Sequence, residues 1–227
     1  HSDSIQELRL YDRLEMLGRD QIVVAFLAEF SRGKSETINA LFFSDFNQRL
    51  LPREPGLSSM CTSEIFWDAR EEPSIKLLPI DTRLHDDSLT YLKTTPTAWE
   101  KFKLNVYSPE EIKETLRKLI ELKEVSKAQA EELGLFDPQD AVMLNQLANT
   151  GLVKVPVWRH AIINFPHPLL KSGLVIIDIP GLNTLDSEPE LALNIIPNAH
   201  AVLYLTATDS GITAADMQVW NDFIKGR

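Results

Sequence analysis

Residues 22–41 have the sequence IVVAFLAEFSRGKSETINAL, which predicts a buried strand, a tight loop and a helix in that order. The apolar run from Ile22 to Leu27 is short and bounded, as in a parallel strand covered on both faces. After the loop, apolar residues recur at helical spacing. A strand, a Gly-Lys-Ser loop and the start of a helix form the context in which a phosphate-binding loop is expected.

This loop predicts a site for nucleotide phosphates. Backbone N–H groups of such a loop and the positive end of the following helix attract anions. In this motif Lys34 reaches the β- and γ-phosphates, and the Ser35 hydroxyl ligates Mg²⁺. Ala28 stands where the pattern opens with Gly, a change that costs little if the backbone φ there is negative. The alternative is a strand-turn-helix that binds no ligand.

Length and composition favour one sizeable α/β domain. The 227 residues are 44% hydrophobic, which is ordinary for a protein with a real core. A net charge of −10 argues against non-specific nucleic-acid binding, and no nucleic-acid partner is expected. The single Cys61 excludes an internal disulfide and fits a reducing compartment. The expected location is the cytoplasm, including the periphery of the inner membrane.

Two helical regions are predicted, one before the phosphate-binding loop and one after it. Residues 1–20 predict a leading amphipathic helix, with its apolar stripe over residues 3–18. Residues 21–227 predict the nucleotide-binding domain, within which residues 81–152 are polar, charged and mostly helical. Capping patterns start helices after Ser108 and Ser126 in that segment. We therefore expect a helical insertion or lid at about 81–152.

Several strands are expected outside that segment. Residues 65–67 and 74–78 predict two strands, and the turn at 71–73 between them predicts an antiparallel hairpin. Residues 157–165 and 173–178 predict further strands, as do residues 200–206, which we expect to be buried. Because helical segments separate the first strand from the last two, a parallel sheet is expected.

A second part of the site is predicted at residues 174–182, which have the sequence LVIIDIPGL. An apolar strand delivers Asp178 to its C-terminal end, where ligands bind in open α/β sheets. In a phosphate-loop protein that carboxylate lies beside Mg²⁺, and Gly181 lets a backbone N–H approach the γ-phosphate. Ile179 stands where many ATPases have a catalytic Glu, which favours GTP. The alternative is an ordinary Asp-x-Pro-Gly turn.

The loop between these two parts contains hydroxyl residues. A switch-type nucleotidase needs one there that closes on Mg²⁺ when the γ-phosphate is present, and Ser59 is the candidate. Its alternative role is a turn serine. Cys61 is expected to be a small packing residue, because no basic neighbour lowers the pKa of its thiol. Structural roles are also expected for His160 and His167, whose spacing fits no single helix face.

These residues carry a family resemblance. Residues 29–35 followed by Ile38-Asn-Ala-Leu41 resemble the phosphate loop of bacterial dynamin-like GTPases. Leu50-Leu-Pro52 with Met60-Cys-x-x-Glu64 resembles switch I of a proteobacterial branch, and residues 178–183 resemble its switch II. Further segments similar to that branch are Trp158-Arg-His160, Pro166-His-Pro-Leu-Leu170 and Ala199-His-Ala-Val-Leu203.

The resemblance implies a P-loop NTPase fold of the dynamin G-domain type. It would have a mainly parallel central sheet, an N-terminal helix and a helical insertion between switch I and switch II. It implies Mg²⁺-dependent binding and hydrolysis of GTP to GDP, and a homodimer formed through the nucleotide face. It also suggests membrane remodelling, with a membrane or protein partner engaged through segments outside this chain.

The same resemblance assigns site residues. Catalytic roles fall to Ser31, Lys34 and Ser59. The Mg²⁺ ligands are Ser35, Ser59 and Asp178. Nucleotide contacts fall to Glu29, Phe30, Ser31, Arg32, Gly33, Lys34, Ser35, Glu36 and Gly181. Phe30 stands where eukaryotic dynamins have a catalytic Gln, so a switch residue or backbone group must position the attacking water.

Some features depart from the family pattern. The chain contains no Asn-or-Thr-Lys-x-Asp motif to read guanine, so we expect a GTPase domain truncated before that motif. Ala28, Phe30 and Ser59 also leave open a nucleotide-binding scaffold that hydrolyses little and acts through partner proteins. A P-loop ATPase is a further alternative.

Overall fold

The computed structural model describes residues 21–28, 33–44, 50–52, 61–85, 87–179, 195–206 and 211–225. The predicted helix over residues 3–18 lies outside the described residues. None of the helices in the described part of the chain has the length and apolarity that a membrane crossing requires.

The strands within the described residues are β1 (Ile22–Ala28), β2 (Thr62–Phe66), β3 (Ser74–Pro79), β4 (Glu100–Lys103), β5 (Leu122–Ser126), β6 (Leu152–Pro156), β7 (Trp158–Asn164), β8 (Leu174–Asp178) and β9 (Ala201–Leu205). The α-helices are α1 (Lys34–Phe42), α2 (Leu89–Lys93), α3 (Pro109–Arg117), α4 (Lys127–Glu132), α5 (Ala141–Thr150), α6 (Pro168–Lys171), α7 (Ile196–Asn198) and α8 (Ala214–Val219). Short 3₁₀ turns lie at Ile80–Leu84, Pro96–Ala98 and Lys118–Ile120, and a π-helical turn at Trp220–Ile224 follows α8.

Seven of these strands form one sheet in the order β4-β3-β7-β2-β8-β1-β9. β1 runs parallel to both β8 and β9, as predicted. β2 is parallel to β7 but antiparallel to β8. β3 is antiparallel to both of its neighbours, β4 and β7. The sheet is therefore mixed, and the expectation of a mainly parallel sheet is wrong.

The predicted hairpin between the second and third strands is also wrong. The strands and the turn between them exist, but β7 lies between β2 and β3 and pairs with each of them. A turn sequence shows only that the chain reverses direction. Which strands pair depends on which neighbouring strand buries the most apolar surface. Here β7 takes that place, although His160 on β7 lies 96 positions after Glu64 on β2.

The segment 81–152 contains helices, but it also contains two strands that were not expected. β4 joins the main sheet at its edge, and β5 pairs with β6 in a separate two-stranded sheet. Both predicted N-caps are present: Ser108 accepts a hydrogen bond from the backbone of Glu111, and Ser126 forms a capping box with Gln129. A purely helical insertion is therefore not what the chain forms here.

Helices cover both faces of the large sheet. One face packs against α1, α3 and α6 around a core that includes Ile38, Ile112 and Leu170. The other face packs against α2 and α7, through Leu92 and Ile196. The sheet is thus the middle layer of three, and the small β5-β6 sheet has its own core with α4 and α5. β9 is half-exposed rather than buried, because it lies at the edge of the sheet within the described residues.

Asn164 fixes the connection from β2 to β3 over the end of β7. Its Oδ1 accepts the backbone N–H of Asp68 at 2.7 Å. Its Nδ2 donates to the carbonyl oxygens of Asp68 and Glu71 at 3.1 Å and of Glu72 at 3.3 Å. The side chain is buried, and it satisfies loop groups that cannot join a strand ladder.

We predict that Asn164→Ala lowers the free energy of unfolding by about 2–4 kcal/mol, because buried loop groups lose their partner. Urea unfolding followed by circular dichroism measures the change. Asn149→Ala is the matched control, since that side chain is exposed and bonds within its own helix. A loss at Asn164 no larger than the loss at Asn149 would contradict the role given to Asn164.

Candidate functional site

The candidate site forms where two neighbouring parallel strands end at the same edge of the sheet. β1 leads into the Gly-Lys-Ser loop, and β8 ends at Asp178, which is in register with Phe26 of β1. On its other side Asp178 is in register with Ser63 of β2. The backbone N–H of Ile179 donates to the Phe26 carbonyl at 3.2 Å. Asp178 is therefore held between two strands, close to the loop.

Lys34 and Asp178 form a buried ion pair at this edge. Lys34 Nζ lies 2.9 Å from Asp178 Oδ1, and only 8% and 4% of the two side chains are exposed. Lys34 Nζ also donates to the carbonyl of Ile179, 145 positions along the chain. Asp178 Oδ1 is close enough for charge attraction but accepts no aligned hydrogen bond within the described residues. The two residues that the sequence singled out separately thus meet in one place.

Gly33 makes the turn into α1. Its φ of 83° lies in the left-handed region, which glycine adopts at little cost. A Cβ built there would meet nothing within 4 Å, so the constraint comes from the backbone conformation and not from crowding. The Thr37 N–H and hydroxyl both donate to the Gly33 carbonyl, at 2.9 and 3.1 Å. These bonds start the helix one residue after the turn.

Of the other predicted site residues, two lie in the described part of the chain and six do not. Ser35 and Glu36 lie in the first turn of α1, where the helix dipole favours negative charge. Ala28 is the last residue of β1 and pairs with Leu205, so its backbone is extended, as its substitution for Gly requires. Six predicted residues lie outside the described part of the chain, namely Glu29, Phe30, Ser31, Arg32, Ser59 and Gly181.

Asn39 is a positioning residue that the sequence analysis did not identify. Its Oδ1 accepts the backbone N–H groups of Leu50 and Leu51 at 3.1 and 2.8 Å, and its Nδ2 donates to the Leu51 carbonyl at 3.2 Å. α1 thereby holds the start of the predicted switch I region. The available signal was a polar Asn beside the apolar stripe of a helix, where Asn has low helix propensity.

Cys61 is a buried core residue beside the site. Burial raises the pKa of the Cys61 thiol to about 12, and the charge of Asp178 acts in the same direction. Its Sγ lies 3.8 Å from the carbonyl of Leu119. Since the thiolate is the reactive form, the expected packing role is confirmed.

A second charged group, formed by Glu64, His160 and Lys93, lies on β2, β7 and α2. Glu64 Oε1 lies 3.0 Å from His160 Nε2 and accepts a hydrogen bond from Lys93. Burial by itself would raise the pKa of Glu64, but the charge of Lys93 and the bonds from both partners hold that pKa well below its usual range. His160 is fully buried with its ring edge-on to Trp99. The cluster ties α2 to the strand that follows the predicted switch I loop.

The two histidines that could have suggested a metal have structural contacts. His160 belongs to the cluster with Glu64, and His167 caps α6 by accepting the backbone N–H of Leu169. No group of three or more His, Cys, Asp or Glu side chains suited to a metal occurs within the described residues.

The donor set at the sheet edge fits Mg²⁺ bound together with a phosphate. Mg²⁺ prefers oxygen ligands, and it is commonly held by one or two protein groups plus substrate phosphates and water. Asp178 Oδ1 is a buried anionic oxygen without an aligned hydrogen bond, and Ser35 offers a hydroxyl in the first turn of α1. These two residues would hold the ion.

A family model and a curated relative that match this chain point to the same family. The family model described as "Dynamin family" matches residues 24–224, which is most of the chain. A "Bacterial dynamin-like protein" from Nostoc punctiforme is 32% identical over 92 residues, which are 40% of this chain and 13% of that protein. The chain therefore spans only a small part of the length of this curated relative.

Two solved structures are similar at a lower level. Both are described as an oligomerised bacterial dynamin pair that provides a mechanism for long-range sensing and tethering of membranes. One is 16% identical with a TM-score of 0.43 and covers 88% of this chain and 23% of the other. The second is 15% identical with a TM-score of 0.46 and covers 95% and 32%. Similarity at this level is too loose to carry a functional conclusion.

We predict that the stabilisation from Glu64 is lost in acid. A carboxylate whose pKa is lower in the folded state stabilises the fold above its unfolded pKa of about 4.3, and this contribution disappears as the pH falls towards the folded pKa. The free energy of unfolding of the wild type should exceed that of Glu64→Gln by about 2–3 kcal/mol at pH 6. This difference should shrink between pH 5 and pH 3. Urea unfolding at each pH measures it.

The control for this pH series is Glu132→Gln, because Glu132 is exposed at the end of α4. Its difference from wild type should stay small throughout. A Glu64→Gln difference that is constant from pH 6 to pH 3 would show that the Glu64 carboxylate does not carry the effect.

Proposed function

The chain belongs to the dynamin family, and from this membership we propose that the protein binds GTP at the loop around Lys34 and hydrolyses it with Mg²⁺. The observation that supports this most directly is the meeting of Lys34 with Asp178 at the ends of two adjacent parallel strands. A structural strand-turn-helix has no need to bury a lysine and an aspartate at this edge. A nucleotide site uses both.

In this proposal the phosphates lie against the loop before α1. Lys34 supplies a positive charge to the β- and γ-phosphates, and the N-terminus of α1 adds the field of its dipole. Ser35 and Asp178 hold Mg²⁺, which neutralises charge that develops on the phosphate oxygens. Burial of Lys34 and Asp178 strengthens their electrostatic effects, because little water screens them.

The remaining assignments belong to the same proposal. Ser31 and Ser59 contribute to catalysis, and Glu29 to Arg32, Glu36 and Gly181 line the nucleotide. Phe30 has no group that can orient water, so a switch residue or a backbone N–H does so. We further propose that the protein belongs to the proteobacterial branch and that it is cytoplasmic. The nucleotide-binding domain would begin at residue 21 and contain an insertion at about 81–152.

Self-association through the nucleotide face and peripheral contact with a membrane complete the proposal. Both follow from the family resemblance. Oligomerisation as a pair and the tethering of membranes are described for the two similar solved structures, and are properties of those proteins.

We predict that Lys34→Ala abolishes nucleotide binding and lowers GTP hydrolysis by at least about 100-fold in the full-length protein, because the charge opposite the phosphates is lost. Phosphate release and binding of a fluorescent GTP analogue measure the two effects. Lys127→Ala is the matched control, since Lys127 is half-exposed on α4. Unchanged hydrolysis in Lys34→Ala would overturn the assignment.

A second candidate is a nucleotide-binding scaffold that hydrolyses little. Phe30, with no polar group to position water, favours it. Single-turnover hydrolysis of GTP by the wild-type protein decides between them. A rate above that of buffer excludes the scaffold, and no rate with tight binding excludes the GTPase.

We also predict that unlabelled GTP displaces the fluorescent analogue and that an equal concentration of ATP does not. The basis is Ile179, which stands where many ATPases carry a catalytic Glu. The competition is measured by fluorescence anisotropy with Mg²⁺ present. Stronger displacement by ATP would assign the protein to the ATPases instead.

A further inference from the structure

The helix α5 is covered on one side only. It packs through Met143 and Leu147 against the core of the small β5-β6 sheet, which contains Val153 and Val155. None of its 10 residues is buried. A surface helix of a globular protein usually turns charged residues towards water on the side opposite its apolar stripe. The composition of the outer side of α5 is therefore informative.

The outer side of α5 is apolar and carries no charge. Val142 and Leu144 are 65% and 44% exposed, and Ala141, Asn145 and Ala148 are also exposed. These five residues lie on the side of the helix away from the core and form what we call the outer face of α5. The helix contains no Asp, Glu, Lys or Arg, in a chain of which 25% is charged.

The charge of the whole chain indicates what can occupy this face. Each copy carries a net charge of −10, so two copies repel each other where their acidic surfaces approach. Contact through the outer face of α5 brings no charged side chain of this helix into the interface. A basic partner, by contrast, would gain electrostatic energy at the acidic surfaces and none at this face. The neutral face therefore suits a second copy of the same chain.

Asn145 places a self-complementary group in the middle of the face. Its Oδ1 accepts a hydrogen bond from Nδ2 of Asn149 at 2.9 Å, one helical turn further along. An amide has donors as well as an acceptor, so two copies of Asn145 that face each other across a twofold axis can bond to one another. A polar Asn within an apolar helix contact also fixes the register of the two helices.

The N-terminal end of α5 favours an antiparallel pair. Asp140 caps the helix, and its Oδ1 accepts the backbone N–H groups of Val142 and Met143 at 2.7 and 3.2 Å. A parallel pair would place the two Asp140 carboxylates side by side, where they repel. An antiparallel pair separates them by about 15 Å along the helix axis.

We propose that the outer face of α5 is a self-association surface, where a second copy of this chain binds antiparallel across a twofold axis near Asn145. This contact is additional to the proposed dimer through the nucleotide face, and it requires no nucleotide. A helix of about 15 Å offers less area than the roughly 800 Å² per partner of a standard interface. The contact is therefore weak, and its occupancy depends on protein concentration.

The first test measures self-association of the nucleotide-free full-length protein by sedimentation velocity over a range of concentrations. Ala148→Glu puts a carboxylate on the outer face of both copies. Because the two carboxylates repel, self-association should weaken at least about tenfold. Ala128→Glu is the matched control, since Ala128 is exposed on α4 and the change adds the same charge to the same small sheet layer.

The control should leave the association within about twofold of wild type, because solvent and salt screen a charge that lies outside the contact. Unchanged association in Ala148→Glu overturns the proposal, and so does an equal loss in Ala128→Glu. A wild-type protein that stays monomeric at every concentration overturns it as well.

The second test examines the geometry of the contact by cysteine crosslinking. In the antiparallel pair Asn145 meets its own copy, within the Cα separation of about 4.4–6.8 Å that a disulfide requires. Asn149, which is exposed on the same helix, is separated from its copy by roughly 12 Å along the axis. Under mild oxidation Asn145→Cys should therefore give at least about five times as much crosslinked dimer as Asn149→Cys.

The natural Cys61 does not compete in this reaction, because it is buried and the pKa of its thiol is raised to about 12. Equal crosslinking at the two positions, or none in Asn145→Cys, overturns the proposed pairing. Both tests are made without nucleotide, so their failure leaves the proposed GTP site unaffected. That site is tested separately by Lys34→Ala.

Discussion

Two opposite charges are buried together where β1 and β8 end, and the candidate site depends on this. Neither Lys34 nor Asp178 could be buried alone, because an isolated charge inside a protein is far less stable than one in water. The strands make the pairing possible, since parallel neighbours bring their C-terminal ends to one edge. The same burial that makes the pair necessary makes each member an effective ligand for charge.

The mixed sheet supports this edge from the other side. β2 runs antiparallel to β8, so the start of β2 lies next to the end of β8, and Ser63 is in register with Asp178. The end of the predicted switch I region therefore lies beside the carboxylate. Asn39 holds the start of the same region, through its bonds to Leu50 and Leu51. Two fixed ends thus enclose the segment proposed to respond to the nucleotide.

Two largely buried polar side chains, Asn164 and Glu64, connect separate elements of the fold. Asn164 satisfies the loop that carries the chain over β7. Glu64 joins α2 to β2 through Lys93, and its low pKa shows that the carboxylate is charged at neutral pH. These interactions act between elements that are distant in sequence. They fix how the layers fit together after hydrophobic burial has brought the layers into contact.

The sequence by itself predicted most of the local elements and the residues of the candidate site. The strand before Gly33, the helix after it and the strand ending at Asp178 follow from apolar runs and their periods, and the caps at Ser108 and Ser126 from short-range hydrogen bonding. Tertiary structure alone decided the pairing. β7 entered between β2 and β3, and a segment expected to be helical gave β4 to the sheet edge. Strand order depends on the apolar surface buried over the whole sheet, which a short stretch of sequence does not contain. The contact between Lys34 and Asp178 depends on that strand order in turn.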